Sequence, residues 1–332
     1  MKNVRFIIIT AAITVLSLSG CSQKSEHLTR TALYFDTAVT IDLYGPDEVL
    51  LAGTMDECID LCSHYEKLFN KNDKDSDIAA INSSSGKTVA VDHDTALLIK
   101  KSLYYCDLSG GLFDITIKPV SDLWDFHAQE PVIPKQSDID KARALIDYKS
   151  ITVDTDDDTV TVSDNAAIDP GGAAKGYIAD LIAEHISGSD VTGAIINIGG
   201  DMRIIGEKSK DTPFTVGIRD PFDKNNVMMP LMLSDCAIAT SGTYERCFTA
   251  NGQRYHHIID PSTGYSAQTD IESVTVITKD ALGADCLGTV CILLKSNDAM
   301  DLIEDTKDTE AIFILSDGSV LYTSGANAFL RQ

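Results

Sequence analysis

The segment Asp169-Pro170-Gly171-Gly172-Ala173-Ala174-Lys175-Gly176-Tyr177 places an acid, a glycine pair and a lysine where a predicted strand runs into a predicted helix. Glycines let a backbone approach a ligand closely, and the first turn of a helix offers unpaired N–H groups to an anion. The segment therefore predicts an anion site at a strand-to-helix junction, although it is neither a Walker loop nor a GxGxxG sequence. A glycine-rich turn with a surface lysine is the alternative that the segment leaves open.

On both sides of this junction, the hydrophobic pattern changes between helical and strand periods. The predicted helices cover residues 47–69, 96–108, 174–186 and 282–294, the last capped by Asp280. The predicted strands cover residues 31–43, 150–153, 159–162, 194–198, 202–205, 214–218, 229–233 and 273–278. No repeat and no linker divides the chain. We predict an α+β protein with mixed sheets and packed helices in a single large domain, residues 31–332.

The first twenty residues have the pattern of a signal peptide. Lys2 and Arg5 precede an apolar run over residues 6–18, which is long enough for a signal sequence but short for a spanning helix. Small residues then precede Cys21, which resembles the bacterial lipobox, although a cysteine can also follow a cleavage site by chance. We expect residues 1–20 to be removed, Cys21 to be acylated and residues 21–30 to form a polar tether. The chain would then be exported and lipid-anchored to the bacterial cell membrane, facing the extracytoplasmic side.

The charge and the cysteines restrict the possible partners. The chain has a formal net charge of −23, and loss of residues 1–20 would make it more negative by two, because Lys2 and Arg5 would be removed. Such acidity argues against nucleic acid, and a phosphate site here needs a metal or local backbone N–H groups. Besides Cys21 the chain has seven cysteines, an odd number that implies no disulfide framework. Cys58 and Cys62 have the spacing of a buried helical stripe, with a metal or redox site as the alternative.

The segment His256-His257-Ile258-Ile259-Asp260-Pro261-Ser262-Thr263-Gly264 has the composition of a reaction site. An imidazole can take a proton from a hydroxyl near neutral pH, and the Asp-Pro and Thr-Gly pairs favour a fixed turn. Taken alone, the segment is also compatible with a strand that ends in a polar turn, and it does not decide which histidine acts.

Asp285 and Thr289 are four residues apart in the last predicted helix, so they share one face. A carboxylate and a hydroxyl on one face are oxygen ligands suited to magnesium. A threonine bonded to its own helix beside a solvated aspartate is the alternative.

Residues 196–201 and 239–246 place small polar residues after strands, and residues 109–116 and 123–126 bring aromatic rings near acids. These four segments could line a cleft for a flat heterocycle, and each is also compatible with turns or packing.

Taken together, these segments resemble the ApbE family, the FAD:protein FMN transferases, over residues 32–325. The matching pieces, in the order of the family, are FDT at 35–37, SDIAAIN at 76–82, GGLFDIT at 110–116, DPGGAAKGY at 169–177, NIGGD at 197–201, TSGTYER at 240–246, HHIIDPSTG at 256–264 and ADCLGT at 284–289. Two positions depart from the family pattern. Asn72 stands where many members have an aromatic residue, and Pro170 replaces an aliphatic one.

The resemblance implies a T-fold-like core and a reaction. FAD is split at its pyrophosphate, FMN passes to a Thr or Ser hydroxyl of a partner protein as a phosphoester, and AMP leaves. It implies that Asp285, Thr289 and the carbonyl of Gly172 hold Mg²⁺, and that His257 is the general base. The residues implied in FAD contact are Phe35, Asn82, Leu112, Phe113, Asp114, Asp169, Lys175 and Ile258. The acceptor would be a membrane or extracellular electron-transfer flavoprotein.

Two other functions remain open at this point. In the first, water replaces the acceptor hydroxyl, and the protein is a magnesium-dependent FAD pyrophosphatase that yields FMN and AMP. In the second, the protein is a lipoprotein that binds FAD without turnover. The combination of Asp285, Thr289 and His257 argues against the second, because binding FAD needs no base beside a metal.

Overall fold

A computed structural model describes residues 26–223 and 225–331 of the chain. The predicted signal peptide, Cys21 and residues 22–25 of the predicted tether lie outside the described residues. The helices are α1 (Glu48–Phe69), α2 (Asp77–Asn82), α3 (His93–Leu108), α4 (Lys118–Ser121), α5 (Gln136–Arg143), α6 (Ala174–Ser187), α7 (Ala281–Leu293) and α8 (Ser296–Asp305). The strands are β1 (Glu26–Tyr34), β2 (Thr37–Gly45), β3 (Val89–Ala90), β4 (Thr152–Asp154), β5 (Thr159–Thr161), β6 (Gly193–Ile198), β7 (Asp201–Gly206), β8 (Phe214–Arg219), β9 (Val227–Leu233), β10 (Ala237–Gly242), β11 (Cys247–Ala250), β12 (Gln253–His256), β13 (Ile271–Thr278), β14 (Glu310–Leu315) and β15 (Val320–Tyr322).

Eight strands form one antiparallel sheet in the order β1-β2-β6-β7-β10-β13-β14-β15. Strand β13 is buried along its whole length, because both faces of the sheet are covered at that point. The smaller pairings are the β8–β9 and β11–β12 hairpins and the three-stranded sheet β3-β5-β4.

Apolar side chains on the two faces of the large sheet belong to different cores. On one face, α1, α6 and α7 pack on the strands around Ile41, Ile196 and Tyr177. On the other face, the β8–β9 hairpin contributes Phe214 and Leu231 to a second core. This arrangement confirms the α+β prediction. Within the described ranges, no helix combines the length and the apolar character needed to cross a membrane.

The predicted long helices α1 and α7 are present. Each has an N-terminal capping residue at the point where its buried apolar residues begin. Asp47 caps α1 by accepting from the N–H of Leu50 at 2.9 Å, and Asp280 caps α7 in the same way. Cys58 and Cys62 are buried in the apolar stripe of α1, as the spacing predicts. All seven cysteines of the described part are free thiols.

The prediction for the N-terminal strand is wrong in two respects. Residues 31–43 are not one strand but the centre of the β1–β2 hairpin, which turns at Phe35 and Asp36 with φ of 57° and 55°. Residues 26–30, assigned above to a tether, are the first half of β1. Strand β1 has no buried residue, so it lacks the apolar alternation by which an inner strand is recognised. The described part of the chain therefore begins with a strand at Glu26.

Candidate active site

A cavity of about 600 Å³ lies between the start of α6, one face of α7 and the segment that joins β10 to β11. This volume is within the roughly 300–1,000 Å³ of small-molecule sites. The cavity brings together residues from Phe35 to Leu293, which are 258 positions apart in the chain. The predicted site residues that line it are Phe35, Leu112, Phe113, Asp114, Asp169, Gly172, Lys175, His257, Ile258, Asp285 and Thr289.

Asn82 is the predicted site residue that does not line this cavity. Its amide instead donates to the carbonyl of Ile168 at 3.0 Å and accepts from the N–H of the same residue at 2.7 Å. The side chain thus fixes the backbone just before Asp169. Asp114 does line the cavity, but its carboxylate already accepts hydrogen bonds from Thr116 and Tyr148. Burial raises the pKa of Asp114, against these hydrogen bonds.

The strand-to-helix junction is held by Asp169. Its N–H donates to the carbonyl of Ile115 at 2.7 Å, and its carboxylate accepts from the N–H of Gly171 at 3.0 Å and pairs with Lys71. Helix α6 begins at Ala174, and no side chain caps its N-terminus. In the first turn the N–H of Ala174 donates to the carbonyl of Pro170 and that of Gly176 donates to Asp285, so few backbone donors are left for an anion and the anion site stays a prediction.

Lys175 lies between two buried carboxylates. Its ammonium group donates to Asp201 and, at 3.2 and 3.3 Å, to both oxygens of Asp285. Burial disfavours the charge of Lys175, but the two carboxylates outweigh it and raise its pKa. Burial and the charge of Asp285 raise the pKa of Asp201 to about 7, against the effect of Lys175. The lysine predicted to contact FAD is therefore engaged by protein carboxylates, while it still lines the cavity.

Asp285, Thr289 and Gly172 meet at one wall of the cavity and fit the ligand set implied for Mg²⁺. The Asp285 side chain is only 6% exposed, so the alternative of a solvated aspartate is wrong. The Thr289 hydroxyl makes no hydrogen bond among residues 26–223 and 225–331, which leaves its oxygen available. A Cβ atom on Gly172 would lie 3.6 Å from that oxygen. Among the described residues, no cluster of three His, Cys, Asp or Glu side chains is arranged to hold a metal. A hydroxyl and a backbone carbonyl would therefore have to complete the protein's share of the ligands.

His257 and His256 have different environments. The N–H of His257 donates to the carbonyl of Arg246 at 3.0 Å, and its Nδ1 is buried without a partner in the described part of the chain. Burial, followed by the charge of Arg246, lowers the pKa of His257 to about 3. Its imidazole is therefore neutral at physiological pH. His256 also has a buried Nδ1 without a partner among the described residues, but its Nε2 bonds the carbonyl of Ala267 and its backbone N–H donates to the hydroxyl of Ser266, which makes it a structural residue.

Aromatic rings form another wall. Trp124 and Phe126 line the cavity with ring centroids 5.8 Å apart and planes tilted by 7°. The indole N–H of Trp124 donates to the carbonyl of Gly264, at the end of the turn after His257. This contact joins the aromatic wall to the turn that follows His257.

The charged cavity residues to which the sequence assigned no role include Asp201, Lys71 and Arg246. Asp201 and Arg246 belong to segments recognised as possible cleft walls. Their neighbours in the cavity, Lys175 and His257, are distant in the sequence, so the sequence alone does not show these contacts. Lys71 follows α1 in a polar loop and carries no motif.

Comparisons with known proteins agree with this geometry. The model of the ApbE family matches residues 35–313. A protein of Treponema pallidum named FAD:protein FMN transferase is 28% identical over 93% of this chain and 90% of its own length. One of the same name from Klebsiella pneumoniae is 29% identical over 89% of this chain and 91% of its own length.

Solved structures show the same fold. The ApbE protein of Thermotoga maritima superposes with a TM-score of 0.84 at 30% identity, over 92% of this chain and 100% of that one. The flavin transferase ApbE of Vibrio cholerae gives a TM-score of 0.82 at 25% identity, over the same shares. The family model, which matches most of the sequence, and the shared fold show that this chain belongs to the ApbE family.

Proposed function

We propose that this chain is an FAD:protein FMN transferase, which moves FMN from FAD to a Thr or Ser hydroxyl of an acceptor protein as a phosphoester and releases AMP. The observation that carries the proposal is the position of His257. It lines the same cavity as Asp285, Thr289 and Gly172, so a proton acceptor and a set of oxygen ligands face one space. A protein that only binds FAD needs no such pairing.

The chemistry requires a base and a way to balance phosphate charge. The acceptor oxygen attacks the flavin-side phosphorus, the bond from that phosphorus to the bridging oxygen breaks, and AMP leaves with the bond's electrons. His257, neutral in the free protein, can take the hydroxyl proton at its second ring nitrogen, because Nδ1 is buried. A pyrophosphate beside Arg246 and Lys175 would offset the positive charges that lower the pKa of His257, so substrate binding would make it a stronger base.

Mg²⁺, held by Asp285, Thr289 and the carbonyl of Gly172, would supply positive charge to the pyrophosphate and its leaving group. In the structure Lys175 supplies the positive charge beside Asp285. The start of α6, whose residues Ala174 and Lys175 line the cavity, adds the positive end of the helix dipole on the same side. These residues orient the pyrophosphate, while the wall of Trp124 and Phe126 offers a flat surface for a ring system.

The test is to incubate the protein with FAD, Mg²⁺ and a candidate acceptor domain, and to look by intact-mass spectrometry for an FMN adduct on Thr or Ser. We expect an adduct with the wild type, and none with His257→Ala although FAD still binds. Normal transfer by His257→Ala would remove the assignment of the base. AMP release without any adduct would identify a pyrophosphatase, and FAD binding without AMP release would identify a binding protein.

We also propose that Cys21 anchors the chain to the bacterial membrane on its extracytoplasmic face, so that the acceptors are membrane or extracellular electron-transfer proteins. The support is the signal-like N-terminus and the small residues that precede Cys21. Metabolic labelling with a radioactive fatty acid tests the anchor. Equal labelling of the wild type and Cys21→Ser would contradict it.

A further inference from the structure

Three cationic side chains of Lys or Arg line the described part of the cavity, and two of them are neutralised by carboxylates. Lys71 pairs with Asp169, and Lys175 pairs with Asp201 and Asp285. The third is Arg246, whose guanidinium makes no ion pair or hydrogen bond with any residue in ranges 26–223 and 225–331. Its neighbour Glu245 is bound by Arg219 at 3.5 Å instead. Arg246 therefore brings an unneutralised positive charge to the cavity.

The backbone holds Arg246 next to His257. Strands β11 and β12 pair Cys247 with His256, and the carbonyl of Arg246 accepts from the N–H of His257 at 3.0 Å. Arg246 and His257 thus lie opposite each other, one position beyond the last pair of the β11–β12 hairpin. The guanidinium is close enough to act on the imidazole electrostatically.

The cavity is otherwise acidic. Its lining includes eight carboxylates, those of Asp36, Glu66, Asp114, Asp125, Asp169, Asp201, Glu245 and Asp285. A pyrophosphate entering this space meets repulsion that the paired lysines only partly offset. A free guanidinium has donors in a planar fork that matches two phosphoryl oxygens.

We propose that Arg246 binds the flavin-side phosphate of FAD, a contact that rests on the proposed function because FAD is the assumed substrate. The flavin-side phosphorus is the atom that the acceptor hydroxyl attacks. The base for that hydroxyl, His257, is held beside Arg246 by the backbone. Arg246 thus contacts the phosphate that is transferred, and not the phosphate that leaves with AMP.

The test measures binding of FMN, AMP and riboflavin to the full chain in detergent, by calorimetry, for the wild type, Arg246→Gln and Arg246→Lys. We expect Arg246→Gln to weaken FMN binding about 10- to 100-fold, as for the loss of a charge-assisted hydrogen bond. AMP and riboflavin should bind as in the wild type, and Arg246→Lys should recover part of the loss. Arg30→Gln is the matched control, because Arg30 pairs with Asp56 and does not line the cavity.

Unchanged FMN binding by Arg246→Gln would overturn the proposal. So would a loss confined to AMP, which would put the guanidinium on the other phosphate, or an equal loss for riboflavin, which has no phosphate. Because these measurements need no turnover, they separate the two proposals. A wild type that forms no adduct refutes the transferase, whereas normal adduct formation with unchanged FMN binding by Arg246→Gln refutes only the role of Arg246.

Discussion

The backbone of Gly176 lies directly against the carbonyl of Ala281, and a Cβ atom on Gly176 would overlap that oxygen. Such a Cβ would also come within 2.7 Å of the Cα of Leu282. The first turns of α6 and α7 can therefore meet only because residue 176 has no side chain. At this crossing the N–H of Gly176 donates to Asp285 at 3.2 Å, so the contact also sets the distance between the first turn of α6 and the proposed metal ligand Asp285.

We predict that Gly176→Ala separates the two helices and destabilises the protein by about 1–3 kcal/mol, as overpacking does. Urea unfolding measures the change. Gly53→Ala is the matched control, because Gly53 is also helical but has open space at its Cβ position. That variant should gain roughly 0.5–1 kcal/mol from helix propensity. Equal effects of the two substitutions would show that the crossing is not tight.

Asp180 fixes the start of α7 from α6. Its two carboxylate oxygens accept from the N–H groups of Ala281 and Leu282 at 2.8 and 2.9 Å. Burial raises the pKa of Asp180 from 3.8 to about 6, although these hydrogen bonds oppose the shift. The folded chain thus keeps the proton to about pH 6, whereas the unfolded chain releases it near pH 4.

Because the folded pKa is raised, the stability linked to Asp180 is complete below about pH 4 and is lost as the pH rises through 6. We predict that Asp180→Asn removes this loss, which is on the order of 3 kcal/mol. The measurement is the free energy of unfolding between pH 4 and 6. The exposed Asp138→Asn should follow the wild type. A parallel pH profile for Asp180→Asn would contradict the prediction.

The low pKa of His257 predicts the pH dependence of the reaction. Burial and the neighbouring charges hold this pKa at about 3, so the free enzyme has a neutral imidazole at every pH above about 4. The ratio kcat/KM for FAD, which reports free-enzyme groups, should show no inflection from His257 between pH 5 and 8. As the pH is lowered, kcat should fall at a higher pH than kcat/KM does. The reason is that bound pyrophosphate raises the pKa of His257, and protonated His257 cannot accept the hydroxyl proton. A kcat/KM inflection near pH 6.5 that coincides with the titration of the His257 ring in NMR spectra of the free protein would refute this account.

The Thr289 hydroxyl offers a direct test of the metal wall. Thr289→Val removes the oxygen and keeps the shape, so we expect it to raise the Mg²⁺ concentration needed for half-maximal activity at least about tenfold. Thr289→Ser retains the oxygen and should behave as the wild type. Binding of Mn²⁺, followed by electron paramagnetic resonance, measures the same loss without catalysis. An unchanged metal requirement in Thr289→Val would exclude this residue from the site.

The sequence predicts the long helices well because periodicity and capping are local properties. Helices α1 and α7 begin where Asp47 and Asp280 indicate. The pattern did not predict the edge strand β1. This strand pairs with β2 alone and has no buried residue, so its sequence lacks the apolar alternation of an inner strand. For the site, motif order identified most of the lining. It could not show that Lys175 is bound by Asp201 and Asp285, since these pairs span 26 and 110 positions. Asn82 has a motif position but supports the backbone at Ile168.

The start of β1 at Glu26 limits how far the enzyme could stand from a membrane. Five residue steps separate Glu26 from Cys21, and an extended chain spans at most about 3.3–3.6 Å per residue. A lipid on Cys21 would thus keep Glu26 within about 18 Å of the bilayer surface. The cavity lining includes Phe35, beyond the other end of this nine-residue strand, which is roughly 30 Å long, so acceptor hydroxyls would have to be presented within the sum of the two lengths. That limit favours acceptors near the membrane over domains carried on long stalks.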